Sequence, residues 1–87
     1  MITSFQMRAA RALLGIDQKT LAELAGVSLP TIQRMEASDG VVRGVVDTLV
    51  KVIQALEASG VVLIGDSQAS DRGGRGVRLR EPLEKPI

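Results

Sequence analysis

The sequence contains no cysteine and no histidine. These absences exclude disulfide bonds, thiolate and imidazole metal ligands, and catalysis by either side chain. The Asp and Glu residues do not cluster in a loop resembling a calcium or magnesium site, so we expect no metal ion and no cofactor. No pair of catalytic groups with a pocket to hold them is apparent, and we therefore do not expect an enzyme.

Aromatic side chains and long apolar runs are also scarce. Phe5 is the one aromatic residue, and no segment approaches the ~20 apolar residues of a membrane span. The N-terminus lacks the charged and apolar regions of a signal peptide, so we expect a cytoplasmic protein. A chain of 87 residues has room for one domain with a modest core, to which a partner chain would add stability.

The chain has little excess charge of either sign. Its formal net charge is +1, and residues 60–87 contribute five basic and four acidic groups to it. The remaining charges cancel, so attraction to a polyanion would depend on where the cations lie. Composition alone therefore neither supports nor excludes binding to DNA.

Helical spacing dominates the first 60 residues. Thr3 and Gln6 have the spacing of a capping box, and the helix that they open is predicted to run to about Leu14 and to stop at Gly15. Its predicted inward side chains are those of Met7, Ala10, Leu13 and Leu14.

Two further short helices follow at once. Asp17 is predicted to cap the second helix, which ends at Gly26. Ser28 is predicted to cap the third helix, which has Pro30 in its first turn. The second helix is predicted to face inward with Leu21, Leu24 and Ala25, and the third with Ile32 and Met35.

The pattern breaks at Ser38-Asp39-Gly40 and again at Gly44, and a fourth helix is predicted from Val45 to about Ser59. Its apolar residues at helical spacing are Val45, Leu49, Val52, Ile53 and Leu56. Residues 61–65 and 76–80 are then short β-type runs, joined by a polar, glycine-rich segment that we interpret as a mobile loop.

We therefore predict an all-α fold, a bundle of four to five short helices, with a short C-terminal β-hairpin or strand pair. Residues 1–60 form the helical domain, residues 61–80 a β-type segment and possible dimerisation element, and residues 81–87 a flexible tail. The β-type segment either pairs across a dimer or folds back on its own helical domain, because two strands alone are marginal in water.

Two short helices joined at a glycine and packed on a first helix make a helix-turn-helix, in which the last helix is presented to a partner. From about Phe5 to Leu56 the chain resembles the lambda repressor and Cro type of helix-turn-helix proteins, the xenobiotic-response-element family. The resemblance depends on Arg11, Gly15, Gln18, Leu21-Ala22, Ala25-Gly26-Val27-Ser28, Thr31-Ile32 and Glu36. It implies double-stranded DNA as the partner.

The resemblance also implies a largely buried ion pair between Arg11 and Glu36, a structural contact that does not touch DNA. Two unrelated solvated charges are the alternative. Gln18 is expected to meet a phosphate at the start of the second helix, and Lys19 is a weaker phosphate candidate.

The family's reading positions fall on the third helix. Arg34 is expected to bridge guanine O6 and N7, and the alternative is a solvated arginine or a phosphate contact. Gln33 is expected to pair with adenine or to contact a phosphate. Leu29 and Pro30 cannot read donor and acceptor patterns, but they suit thymine methyl groups. Ser28 and Thr31 are expected to contact phosphates, although Ser28 is also needed as a cap.

The loop from Ser38 to Gly44 is expected to approach the opposite strand through Arg43. One subunit would then neutralise about three or four phosphates, so a monomer should bind weakly. We predict a homodimer on a pseudo-palindromic operator, with half-sites about one helical turn apart. No small-molecule ligand is evident.

The leading interpretation is a sequence-specific transcription regulator, most like a small repressor or autoregulator, that places helix 28–36 in the major groove. A controller of a restriction system, a prophage or mobile-element switch and an antitoxin all fit this size. The alternative is a protein-interaction module that keeps the fold without binding DNA, and the apolar Leu29-Pro30 tip and the few cations support it.

Overall fold

The computed structural model describes residues 2–65 and 73–81. Within them the chain forms four helices and a two-stranded antiparallel sheet. The helices and strands are α1 (Ser4–Leu14), α2 (Gln18–Ala25), α3 (Leu29–Glu36), α4 (Val46–Ala58), β1 (Val61–Ile64) and β2 (Gly76–Leu79). The predicted fold class is confirmed, with four helices in the described residues rather than five.

Each of the first three helices begins at a capping residue predicted from the sequence. Thr3 and Gln6 form a capping box, Asp17 accepts a hydrogen bond from the Thr20 N–H at 2.8 Å, and Ser28 accepts one from the Thr31 N–H. Such bonds satisfy backbone donors that a helix cannot pair internally. Gly15 and Gly26 end α1 and α2 in the left-handed conformation, with φ of 68° and 71°.

The core lies between the helices and the sheet: α2 packs against α3 and α4, α1 packs against α3, and the sheet packs against α1 and α4. Its fully buried side chains include Met7, Leu21, Ile32 and Leu56. Ala22 is 4% exposed, and its small size suits the close packing of α2 against α3 and α4.

Three residues predicted to face inward do not. Leu13 and Leu24 are 42% and 53% exposed, because each lies beyond the edge of the buried face of its helix. The side of α2 that faces the core carries Leu21 and Ala25, not Leu24. Val45 is 69% exposed because it precedes α4 in an extended conformation, where helical spacing does not apply.

The N-terminal residues contribute a part of the core that the helical pattern does not predict. Thr3 and Val41 form an isolated antiparallel bridge, in which the Val42 N–H donates to the Ile2 carbonyl at 2.9 Å. Ile2 and Val42 are 0% and 2% exposed. The chain ahead of α1 is thereby fixed to the loop that joins α3 to α4.

The β-type segment folds back on the helices of its own chain, with Val61 opposite Leu79 and Leu63 opposite Val77. These four residues pack toward the core, whereas Arg78 and Arg80 are exposed. The predicted alternation along the second strand is confirmed. The predicted mobile loop falls largely on residues 66–72 and the predicted tail on residues 82–87, which lie outside the described residues.

Candidate nucleic-acid interface

The turn between α2 and α3 is short. Gly26 takes the left-handed conformation, and the Val27 N–H then donates to the Ala22 carbonyl at 3.0 Å. Ser28 starts α3 immediately afterwards, with Pro30 in the first turn, where its missing N–H leaves no acceptor unpaired. The reversal therefore needs no long loop, and α3 leaves α2 as a separate, closely packed helix.

Two sides of α3 differ in exposure. Ile32, Met35 and Glu36 are buried on the side that meets α1 and α2, with at most 4% of each residue exposed. Pro30, Gln33 and Arg34 are exposed on the other side. Leu29 is half-buried and packs against the core, so that only part of its side chain is available to a partner.

An ion pair fixes the end of α3. Arg11 donates through Nε to one carboxylate oxygen of Glu36 at 2.7 Å and through a terminal nitrogen to the other at 2.8 Å. The Glu36 side chain is 3% exposed and that of Arg11 20%. The hydrogen bond to Glu36 raises the pKa of Arg11 above its usual value. This two-pronged geometry is the strong form of an arginine–carboxylate contact.

Two more side chains join this ion pair. Gln18 Nε2 donates to Glu36 Oε1 at 3.1 Å, which ties the first residue of α2 to the last of α3. Arg8 donates to the Glu36 main-chain carbonyl, and its guanidinium lies 4.9 Å from the centre of the Phe5 ring. Arg11 also donates to the Ile16 carbonyl at 3.3 Å. Side chains of α1 and α2 thus hold both the carboxylate and the backbone at the C-terminal end of α3.

Arg8 is the member of this group that the sequence analysis did not single out. Its position three residues before Arg11, on the same side of α1, could have indicated it. The bond of the Gln18 amide to Glu36 was not expected either. That bond orients the side chain and leaves its oxygen and its second N–H for another partner.

The hydroxyl groups of Ser28 and Thr31 lie 2.8 Å apart and bond to each other. Ser28 also caps α3, so its oxygen already accepts from the Thr31 N–H at 3.3 Å. Each hydroxyl keeps some capacity for a further bond. Ser28 is exposed, as are Pro30 and Arg34.

The structure brings two predicted cations together. Arg34 of α3 and Arg43 of the following loop both line one cleft between α3 and the start of α4. Thr31 and Thr48 add hydroxyl groups to the same cleft. Thr48 was not predicted, because nothing in its sequence neighbourhood marks it. Lys19 is exposed on the first turn of α2, away from the cleft lining.

The exposed side of α3, the amide of Gln18 and the cleft with two arginines form one candidate interface. A family model described as Helix-turn-helix matches residues 7–44, from within α1 to the residue after Arg43. This segment is a lambda repressor/Cro-like helix-turn-helix. The resemblance predicted from the sequence is therefore confirmed for these residues.

The helix-turn-helix match covers both helices of the motif and the Arg11–Glu36 pair. The chain therefore contains a helix-turn-helix domain of the kind found in DNA-binding transcription regulators. The comparison with curated proteins gives no match to the chain.

Across residues 2–65 and 73–81, no three acidic side chains come close enough together to hold a metal ion. Within the same ranges, no helix has the length and apolar character that crossing a membrane requires.

Proposed function

We propose that this protein is a sequence-specific transcription regulator, a repressor or autoregulator, that inserts α3 into the major groove of DNA. The exposure of Pro30, Gln33 and Arg34 on one side of a helix whose other side is locked into the core carries the proposal. A rigid helix with an exposed polar edge suits the groove, which admits one α-helix.

Base contacts are assigned to that exposed edge. Arg34 bridges guanine O6 and N7, a contact worth ~1–3 kcal/mol of discrimination against another base. Gln33 pairs with adenine or reaches a phosphate. Pro30 and the exposed part of Leu29 press against thymine methyl groups, since neither side chain offers a donor or acceptor.

Phosphate contacts are assigned to residues around that edge. Gln18 offers its remaining N–H in an orientation set by Glu36, and Lys19 adds a charge beside it. Ser28 and Thr31 offer hydroxyl groups at the start of α3. Arg43 reaches the backbone from the loop after α3, on the cleft that it shares with Arg34.

Few of the residues assigned to DNA are cations, namely Lys19, Arg34 and Arg43, and this small number supports a homodimer. Each phosphate neutralised adds to affinity and to its salt dependence, and one subunit supplies about three or four such contacts. Two subunits on adjacent half-sites, about one helical turn apart, would bind a pseudo-palindromic operator far more tightly than one. A regulator of this kind would act on DNA in the cytoplasm.

A protein-interaction role is the second candidate, and one surface favours it. Phe5 is 66% exposed, and with Ala9 and Val77 it lines an apolar groove between α1 and β2. Exposed apolar surface of this kind often marks a contact with another protein. A protein that used this groove alone would bind no particular DNA sequence.

Selection of bound sequences from random double-stranded DNA tests the proposal and separates the two candidates. The proposal predicts enrichment of a symmetric consensus containing guanine, with affinity that falls as salt rises. Failure to enrich any sequence at low salt would contradict DNA binding and leave the interaction role. An enriched but asymmetric consensus would retain DNA binding and overturn the homodimer.

A further inference from the structure

Gln6 is a buried amide with partners in two distant parts of the chain. The residue is 4% exposed. Its nitrogen donates to the carbonyls of Ile64 and Gly76, each at 2.9 Å, and its oxygen accepts from the Thr3 N–H at 3.0 Å. Both N–H groups of the amide are therefore used, as is at least one lone pair of its oxygen.

The nitrogen of Gln6 attaches the hairpin. Ile64 and Gly76 are cross-strand partners, at the end of the hairpin where the chain leaves β1 and enters β2. One NH₂ group therefore binds both strands at the same level and fixes this end of the sheet to the first turn of α1.

The oxygen of Gln6 acts on the opposite part of the domain through Thr3. Thr3 caps α1 and forms the bridge to Val41, so its backbone orientation sets how the N-terminal segment meets the loop after α3. In that bridge the Ser4 N–H donates to the Gly40 carbonyl at 3.0 Å and the Val42 N–H donates to Ile2. Val42 is buried and is followed directly by the exposed Arg43.

We propose that Gln6 is a positioning residue for DNA binding, because the bond from Thr3 to its amide oxygen holds the bridge that presents Arg43. This inference rests on the proposed function, in which Arg43 contacts a phosphate. Gln6 itself bonds to Thr3, Ile64 and Gly76 and not to α3, whose last residue is held by Arg8, Arg11 and Gln18. The N-terminal segment meets the end of α3 separately, through the bond from Ser4 Oγ to the Ser38 carbonyl at 2.8 Å, in which Gln6 takes no part. Its effect on DNA therefore runs through Arg43 and not through Arg34.

Two substitutions separate the roles of the two amide atoms. Gln6→Leu removes both the acceptor for Thr3 and the donors for the hairpin. Gln6→Glu keeps an oxygen acceptor for the Thr3 N–H, as the capping box allows, but sets a carboxylate against two carbonyl oxygens. If Gln6→Leu does not fold, Gln6→Asn replaces it, because the side chain of Asn is one methylene shorter and holds its amide away from these partners.

The test measures affinity for the selected DNA by fluorescence anisotropy, in the wild-type background, in Arg43→Ala and in Arg34→Ala. We expect Gln6→Leu to weaken binding by about fivefold in the wild type and in Arg34→Ala, and to have little effect once Arg43 is absent. Gln6→Glu should retain wild-type affinity while its hairpin amides lose protection from hydrogen exchange. The inference would be overturned if Gln6→Leu weakened DNA binding equally in all three backgrounds. It would also be overturned if Gln6→Glu lost as much affinity for DNA as Gln6→Leu does.

Hydrogen exchange at the Val42 amide keeps this test distinct from that of the proposed function. The Val42 N–H should lose protection in Gln6→Leu and keep it in Gln6→Glu, whether or not the protein binds DNA. Unchanged protection of Val42 in Gln6→Leu would refute the positioning role. If no DNA is selected but Val42 responds as expected, the proposed function fails while the structural link from Gln6 to this loop stands.

Discussion

The two sides of the eight-residue helix α3 differ in burial and in chemistry. On the inner side Ile32 and Glu36 are buried, one among apolar side chains and the other in an ion pair. On the outer side Gln33 and Arg34 extend into solvent. Under the proposed function, most of the residues that hold α3 in place differ from those assigned to DNA bases, so the two sets can be changed with separable effects.

The inner side needs strong attachment because α3 is short. Isolated helices of this length are marginal in water, and they gain most of their stability from packing. Arg8 donates to the last main-chain carbonyl of α3, that of Glu36, while Arg11 and Gln18 donate to the Glu36 carboxylate, so polar contacts hold its C-terminal end. The outer side can then carry polar side chains that add nothing to the core.

The largest expected effect comes from breaking the inner attachment. Arg11→Met removes the charge that faces Glu36 and leaves a buried carboxylate without a cation. We expect the free energy of unfolding to fall by about 3–5 kcal/mol, a large share of the stability of a small domain. Urea denaturation followed by circular dichroism measures it.

The matched control for Arg11→Met is the double variant Arg11→Met/Glu36→Leu. Removing both charges avoids the stranded carboxylate, so most of the lost stability should return. If Arg11→Met were as stable as the wild type, the ion pair would not hold α3 in place. The buried side of α3 would then not differ from the exposed side in this contribution to stability.

A smaller effect distinguishes the caps that begin α2 and α3. The Thr20 N–H lowers the pKa of Asp17 by bonding to its carboxylate, whereas Ser28 caps α3 without a charge. A lowered pKa adds stability above the pKa of the unfolded chain, about 4, and this contribution is lost as pH falls through the folded value.

Asp17→Asn keeps the capping oxygen and removes the titration. We expect a slightly higher Tm for the wild type than for Asp17→Asn at pH 6, and a difference that shrinks as the pH falls from 4 to 2. Thermal melts across this range measure the difference. A gap that grows on acidification would show that the carboxylate does not stabilise the start of α2.

Local signals in the sequence predict most of the helical framework. The caps at Thr3, Asp17 and Ser28 and the left-handed glycines at 15 and 26 depend on neighbouring residues, so a single chain reveals them. The antiparallel strand pair follows from two short β-type runs in the same way. The family resemblance adds the residues of the ion pair, which are 25 positions apart.

Long-range contacts set the rest, and periodicity does not report them. Leu24 matches the helical pattern but is exposed, because the side of α2 that faces the core carries Leu21, Ala22 and Ala25 instead. Ile2 is buried through a bridge to the loop after α3, some 40 residues away. The capping pattern marks Gln6, but its bonds to Ile64 and Gly76 depend on where the hairpin folds.

The most direct test of the central claim pairs one residue on the outer side of α3 with one base. Wild type and Arg34→Ala are titrated against the selected site and against the same site with 7-deazaguanine at the consensus guanine, with circular dichroism as a check on folding. The account predicts that the modified base, which keeps O6 but lacks N7, weakens wild-type binding by part of the ~1–3 kcal/mol that the two-acceptor contact supplies. It also predicts that Arg34→Ala binds both sites equally, with unfolding unchanged. Wild-type affinity in Arg34→Ala for the unmodified site would contradict the assignment of this side of α3 to DNA.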